Sequence, residues 1–119
     1  MDSLDIYVVD DNRDAADSLA ELLAHMGHRA RPFYDAGDLL EMAGRSKPDC
    51  VLLDVAMDGM DGLELTRLLR ARFGDDVVLI AITGVPEGSA AVKSTFRLVD
   101  HYFSKPVDVY KLEAILVGR

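Results

Sequence analysis

Three short stretches of the chain, IYVV at 6–9, CVLLD at 50–54 and VVLIAIT at 77–83, are almost unbroken in apolar character and rich in Val, Ile and Leu. Such runs predict strands covered on both faces, as at the centre of a parallel sheet. Two weaker stretches predict edge strands: HRARPF at 28–33 alternates poorly and carries Pro32, and HYFS at 101–104 is short. At an edge a missing N–H is tolerated. Between the strands the period changes. Ala15, Ala16, Leu19, Leu22, Leu23 and Met26 recur at helical spacing, and so do Leu63, Leu68, Leu69 and Phe73. Asp35, Asp61 and Asp108 each stand just before an apolar-periodic stretch, and Glu64 follows Asp61 in the pattern of a capping box. The alternation predicts five strand–helix units in an α/β domain with a doubly wound, five-stranded parallel sheet. With the weak strands outside, the order 2-1-3-4-5 follows, because the chain steps to one side after its first strand and then returns across it.

That reversal opens a crevice at the carboxyl ends of strands 1 and 3, and both ends are acidic: Asp10 and Asp11 follow the first strand and Asp54 closes the third. Thr83 closes the fourth strand and Lys105 follows the fifth. Three carboxylates in one crevice suit a hard cation that takes oxygen ligands and keeps several waters, the profile of Mg²⁺ rather than of zinc. The expected ligands are Asp10, Asp11, Asp54 and a backbone carbonyl, that of Ala56. The Thr83 hydroxyl and Lys105 ammonium opposite the cation are groups that a transferred phosphoryl needs around its oxygens, with Asp54 as nucleophile.

Composition narrows the field. The chain has 119 residues, 13 Lys plus Arg against 21 Asp plus Glu, and a net charge of −8, which argues against a nucleic-acid surface. Its length suits one core. Cys50 is the single cysteine and lies in an apolar run, so it reads as a core residue in a reducing compartment. No apolar stretch is long enough to span a bilayer and the N-terminus lacks the features of a signal peptide, so the expected location is cytoplasmic, with no membrane partner. Competing motifs fail. DVAMDGMDGLEL has Ala56 and Leu65 where a calcium-binding loop needs oxygen ligands, and Ala56 also stands where a haloacid dehalogenase phosphatase carries its second Asp. There is no phosphate-binding glycine motif. His25, His28 and His101 lack ligand spacing and read as surface or packing residues.

VVDDN, VLLDVAMDGMDG, AITG and HYFSKPVD, in this order, resemble the receiver domain of two-component response regulators over nearly the whole chain, 1–119, as a single domain. The resemblance implies the flavodoxin-like fold with five helices. It implies Mg²⁺-dependent phosphorylation of Asp54 by a phosphohistidine on a histidine kinase or a histidine phosphotransfer domain, with Thr83 and Lys105 assisting. It also implies a switch in which Thr83 and Tyr102 rearrange together, changing the surface of the fourth helix, fifth strand and fifth helix toward an output protein or domain. The Lys105–Pro106 bond is expected to be cis.

One position departs from the family pattern: Asp58 replaces the usual proline after the phosphoacceptor. Ala56 and Val85 stand two residues beyond Asp54 and Thr83, where family geometry places side chains beside the water that hydrolyses the acyl phosphate. Neither can orient that water, so self-dephosphorylation is expected to be slow, with no other enzymatic activity. The glycine-rich, proline-containing start of the fourth helix, with Gly84, Pro86 and Gly88, is expected to be the softest element. The chain reads as a stand-alone regulator or as part of a hybrid sensor kinase. The rival reading is a constitutive docking module with the same fold.

Overall fold

The computed structural model describes residues 3–54, 62–84 and 97–117. Five parallel strands form one sheet in the order β2-β1-β3-β4-β5: β1 (Asp5–Val9), β2 (Arg29–Phe33), β3 (Cys50–Asp54), β4 (Val78–Thr83) and β5 (His101–Ser104). Helices α1 (Arg13–His25), α2 (Ala36–Arg45) and α3 (Gly62–Phe73) alternate with them, and a C-terminal helix (Val109–Val117) follows β5. The predicted sheet order and edge strands are therefore observed, the latter including Pro32 on β2. The fourth helix and its leading loop, predicted within 84–99 between β4 and β5, fall largely on 85–96, outside the described residues.

The unbroken apolar runs reflect two cores, one on each side of the sheet. Tyr7, Val9, Val51, Leu53 and Leu79 face Leu39 of α2 and Leu65 and Leu69 of α3. The alternate residues Ile6, Val8, Leu52, Ile80 and Ile82 face Ala16, Ala20 and Leu23 of α1 and Leu112 and Leu116 of the C-terminal helix. Because successive strand side chains point to opposite faces, covering both faces requires apolar residues at consecutive positions. Cys50 lies fully buried in the second core, and His28 is buried with its Nδ1 accepting from the Leu4 N–H at 3.1 Å.

Helix starts follow the capping chemistry. The Asn12 side chain accepts from Ala15 N at 3.1 Å, Asp35 accepts from Asp38 N at 2.8 Å, and Asp108 accepts from Tyr110 N at 3.0 Å and Lys111 N at 3.2 Å. Asp61 lies outside the described residues. In α3 the expected apolar face is corrected: Leu65, Thr66 and Leu69 are buried, whereas Leu68 is 41% exposed. Each helical residue advances about 100°, so Leu68, one step before Leu69, is carried round to the solvent side. Gly74, at φ 57°, ends α3 in the left-handed region that favours glycine. The Lys105–Pro106 bond is cis.

At the amino end of the sheet, Arg70 of α3 ties several segments together. Its Nε donates to Leu98 O at 2.6 Å, Nη1 to Gly74 O at 2.9 Å and Val77 O at 3.1 Å, and Nη2 to Asp100 Oδ2 at 2.8 Å. The same Asp100 oxygen accepts from Leu79 N at 2.8 Å. Burial pushes the Asp100 carboxyl up, but the Leu79 N–H and Arg70 outweigh it and hold the carboxyl below its ordinary value.

Replacing Arg70 by Met strands several carbonyl acceptors at once and is expected to cost about 2–3 kcal/mol in denaturant unfolding. The depressed Asp100 carboxyl adds stability that is present above its unfolded value, about 3.9, and is lost as pH falls through the lower folded value. In acid titrations of stability, Asp100→Asn is therefore expected to be less stable than wild type at neutral pH and to lose less on acidification.

Candidate functional site

β1 and β3 lie side by side, with Val9 opposite Leu53, so the residues that follow them emerge together. The adjacent carboxylates at the end of β1 diverge in burial: Asp10 is only 6% exposed, whereas Asp11 is exposed. Asp10 Oδ1 accepts from Asn12 N at 2.9 Å and so shapes the entry to α1. Asp54, at the end of β3, is 8% exposed. Asp10, Asp11 and Asp54 each offer a carboxylate oxygen, and these three atoms lie within 4.8 Å of one another. A set of oxygen donors without nitrogen or sulfur, partly open to solvent, fits a hydrated Mg²⁺ ion.

The cation of the site comes from the far end of the chain. Lys105 Nζ lies 3.2 Å from Asp10 Oδ2 and 3.6 Å from Asp54 Oδ2. Burial disfavours its charge, yet the carboxylates of Asp54 and Asp10 prevail and raise the ammonium above its ordinary value. Lys105 is placed by the sheet: β5 pairs with β4, and Lys105 N donates to Thr83 O at 2.8 Å. Thr83 is fully buried at the end of β4, one position beyond Ile82, the register partner of Asp54. Tyr102 lies opposite Ala81 on β5, with its hydroxyl oxygen shielded from solvent. Among the described residues, a Cβ at Gly84 would meet the Lys105 Cδ at 3.8 Å, an ordinary contact.

The structure thus brings Asp10, Asp11, Asp54 and Lys105 together and sets Thr83 at the neighbouring strand end. Ala56, Asp58 and Val85 lie outside the described residues. Beside the carboxylates opens a cavity of about 600 Å³, walled by Leu19 and Leu22 of α1 and by Pro106 and Val107. Leu19 and Leu22 follow the helical period of the core, so nothing in the spacing separates these wall residues from wholly buried ones.

A doubly wound sheet in the 2-1-3-4-5 order, with an acidic cluster at its topological switch point, belongs to the flavodoxin-like class. Residues 6–117 match the response regulator receiver domain family, and the chain belongs to that family. It is 36% identical over 114 residues to response regulator MprA of Mycobacterium ulcerans, a match covering 96% of this chain and 47% of the relative. MprA of Mycobacterium leprae is 36% identical over 111 residues, covering 93% and 47%. The chain spans about half the length of these curated relatives. A CheY-like receiver domain from Methylobacillus flagellatus superposes with a TM-score of 0.87 at 28% identity, covering 98% of both chains. NtrX from Brucella abortus gives 0.83 at 30% identity, covering 98% of this chain and 26% of NtrX. Membership places the chain in phosphorylation-dependent two-component signalling. Among the described residues no helix is long and apolar enough to cross a membrane.

Metal binding is directly testable. Mg²⁺ at ten times its Kd is expected to stabilise the fold by roughly 1.4 kcal/mol, and Asp11→Asn to abolish the effect. Lys105 shares Asp10 and Asp54 with the incoming ion, so Lys105→Met is expected to tighten Mg²⁺ binding by roughly fivefold in calorimetric titration.

Proposed function

We propose that the domain is a phosphorylation-dependent switch in which Asp54 accepts the phosphoryl group. The observation that carries this reading is the Lys105 ammonium at 3.2 and 3.6 Å from the two buried carboxylates of Asp10 and Asp54. An acceptor carboxylate beside a cation, at the mouth of a cavity, can be approached by a donor while charge on the transferred group is neutralised.

A carboxylate oxygen of Asp54 attacks phosphorus, the phosphorus–nitrogen bond of a phosphohistidine breaks, and the leaving imidazole takes up a proton. Mg²⁺ held by Asp10, Asp11, Asp54 and the carbonyl of Ala56 would neutralise phosphoryl oxygens during transfer. Lys105 turns from Asp10 toward a phosphoryl oxygen and offsets part of its charge. The Thr83 hydroxyl donates to another oxygen, and Tyr102 on the adjoining strand follows it inward, which biases the surface of the fourth helix, β5 and the C-terminal helix.

Donors of this chemistry are a histidine kinase or a histidine phosphotransfer domain, and the altered surface addresses an output protein or domain rather than nucleic acid. Residues 1–119 act as one receiver domain in the cytoplasm. Catalysis is limited to self-phosphorylation and slow self-dephosphorylation, because the Ala56 and Val85 side chains cannot hydrogen-bond a hydrolytic water.

Incubation with Mg²⁺ and acetyl phosphate, followed by intact mass, is expected to add one phosphoryl group to the wild type and none to Asp54→Asn. No gain in the wild type would favour the docking module instead. After donor removal with Mg²⁺ present, Ala56→Asn is expected to decay roughly tenfold faster than wild type; equal decay would show that the lifetime is set elsewhere.

A further inference from the structure

Lys105 reaches Asp10 across 95 positions of sequence, so its aim depends on how β5 is held. β5 has four residues and pairs in parallel with β4, from Ile80↔His101 to Thr83↔Ser104. Among the described residues it is an edge strand. A short parallel pair is a weak guide to register, and a slip of one residue would turn Tyr102 to the opposite face and move Lys105 by about 3.3 Å. That displacement is as large as the distance of the ammonium from Asp10.

One residue beyond the ladder, Asp100 closes the start of the strand on Leu79 twice: its N–H donates to Leu79 O at 2.8 Å, and its carboxylate accepts from Leu79 N at 2.8 Å. The carboxylate is in turn gripped by Arg70, whose other nitrogens hold Leu98, just before β5, and Gly74 and Val77, just before β4. The Arg70 side chain is 17% exposed, and it comes from α3, which is packed into the core through Leu65 and Leu69. One planar fork therefore references the starts of β4 and β5 to the same helix. A lysine, with a single point charge, cannot span these acceptors.

We propose that Arg70 is a positioning residue for the site: with Asp100 it locks the register of β5 and so holds the Lys105 ammonium over Asp10 and Asp54. The link to phosphoryl acceptance rests on the function proposed above, whereas the register lock does not. A purely structural Arg70 would lower stability and leave the metal site alone. A register lock makes a different prediction: Arg70→Met withdraws Lys105 from the carboxylates and so acts on Mg²⁺ binding as Lys105→Met does.

The test is a double-mutant cycle read by the Kd for Mg²⁺, at a temperature where every variant is folded by circular dichroism. Arg70→Met is expected to tighten Mg²⁺ roughly threefold in the wild-type background and to change nothing in the Lys105→Met background. An unchanged Kd in the first background, or an equal change in both, overturns the proposal. Asp100→Asn, which keeps side-chain volume and loses the ion pair, guards against misfolding of Arg70→Met and is expected to act in the same direction, more weakly.

Amide exchange supplies a second arm that needs no metal. In Arg70→Met, the amides of Tyr102 to Lys105 are expected to accelerate at least tenfold more than those of Val8 and Leu52. Equal acceleration across the sheet overturns the lock. Failure of the wild type to bind Mg²⁺ would count against the proposed function, and the exchange arm would still decide the role of Arg70.

Discussion

The organisation of this domain turns on an electrostatic constraint at the junction of β1 and β3. Buried carboxylates from neighbouring strand ends, Asp10 and Asp54, share one small space with Asp11. Two such charges about 4 Å apart repel by roughly 4 kcal/mol at an effective dielectric of 20, so the fold must bring a cation to them. It does so with Lys105, which offsets part of the charge and leaves a net negative site open to a divalent ion.

Everything else in the fold serves to keep those strand ends in register. Each central strand is sealed on both faces, by α2 and α3 on one side and by α1 and the C-terminal helix on the other. Close-packed interiors resist small displacements, so the carboxyl ends form a rigid frame for Asp10, Asp54, Thr83 and Lys105. The edge strand β5 has the least support from the ladder and the greatest demand for precision, since Tyr102 and Lys105 both depend on it. The concentration of hydrogen bonds from Arg70 at its start answers that demand from the opposite end of the sheet.

Likeness to the MprA proteins and to the NtrX and Methylobacillus structures covers nearly all of this chain, so the fold and the family rest on the whole domain rather than on one motif. The acidic balance of the chain gathers partly at the site, where Asp10, Asp11 and Asp54 cluster with Lys105 beside them. The cavity next to them is walled by leucines of α1 and by the residues after Lys105, giving an apolar approach to the charged cluster.

Much of this was legible in the sequence because its determinants are local. Unbroken apolar runs marked β1, β3 and β4, Pro32 marked an edge, and Asp35 and Asp108 marked helix starts, since each signal arises from near neighbours on the chain: pleat, ring closure and side-chain capping. The site residues could be chosen because strand ends in a doubly wound sheet converge; the hydroxyl and ammonium opposite the carboxylates pointed to phosphoryl chemistry, which the family resemblance also implies. Three features were decided only by tertiary structure. Leu68 carries the same hydrophobicity as Leu69, and only the direction of α3 against the sheet turns it outward. Asp10 and Asp11 are chemically identical, and only the turn into α1 buries one and exposes the other. Arg70 has the composition of an ordinary surface charge, and its partners at 74, 77, 98 and 100 are backbone oxygens and one carboxylate that carry no side-chain signature in the sequence. Local interactions write periodicity into a chain, whereas contacts between distant segments exist only once the sheet has brought them within hydrogen-bonding distance.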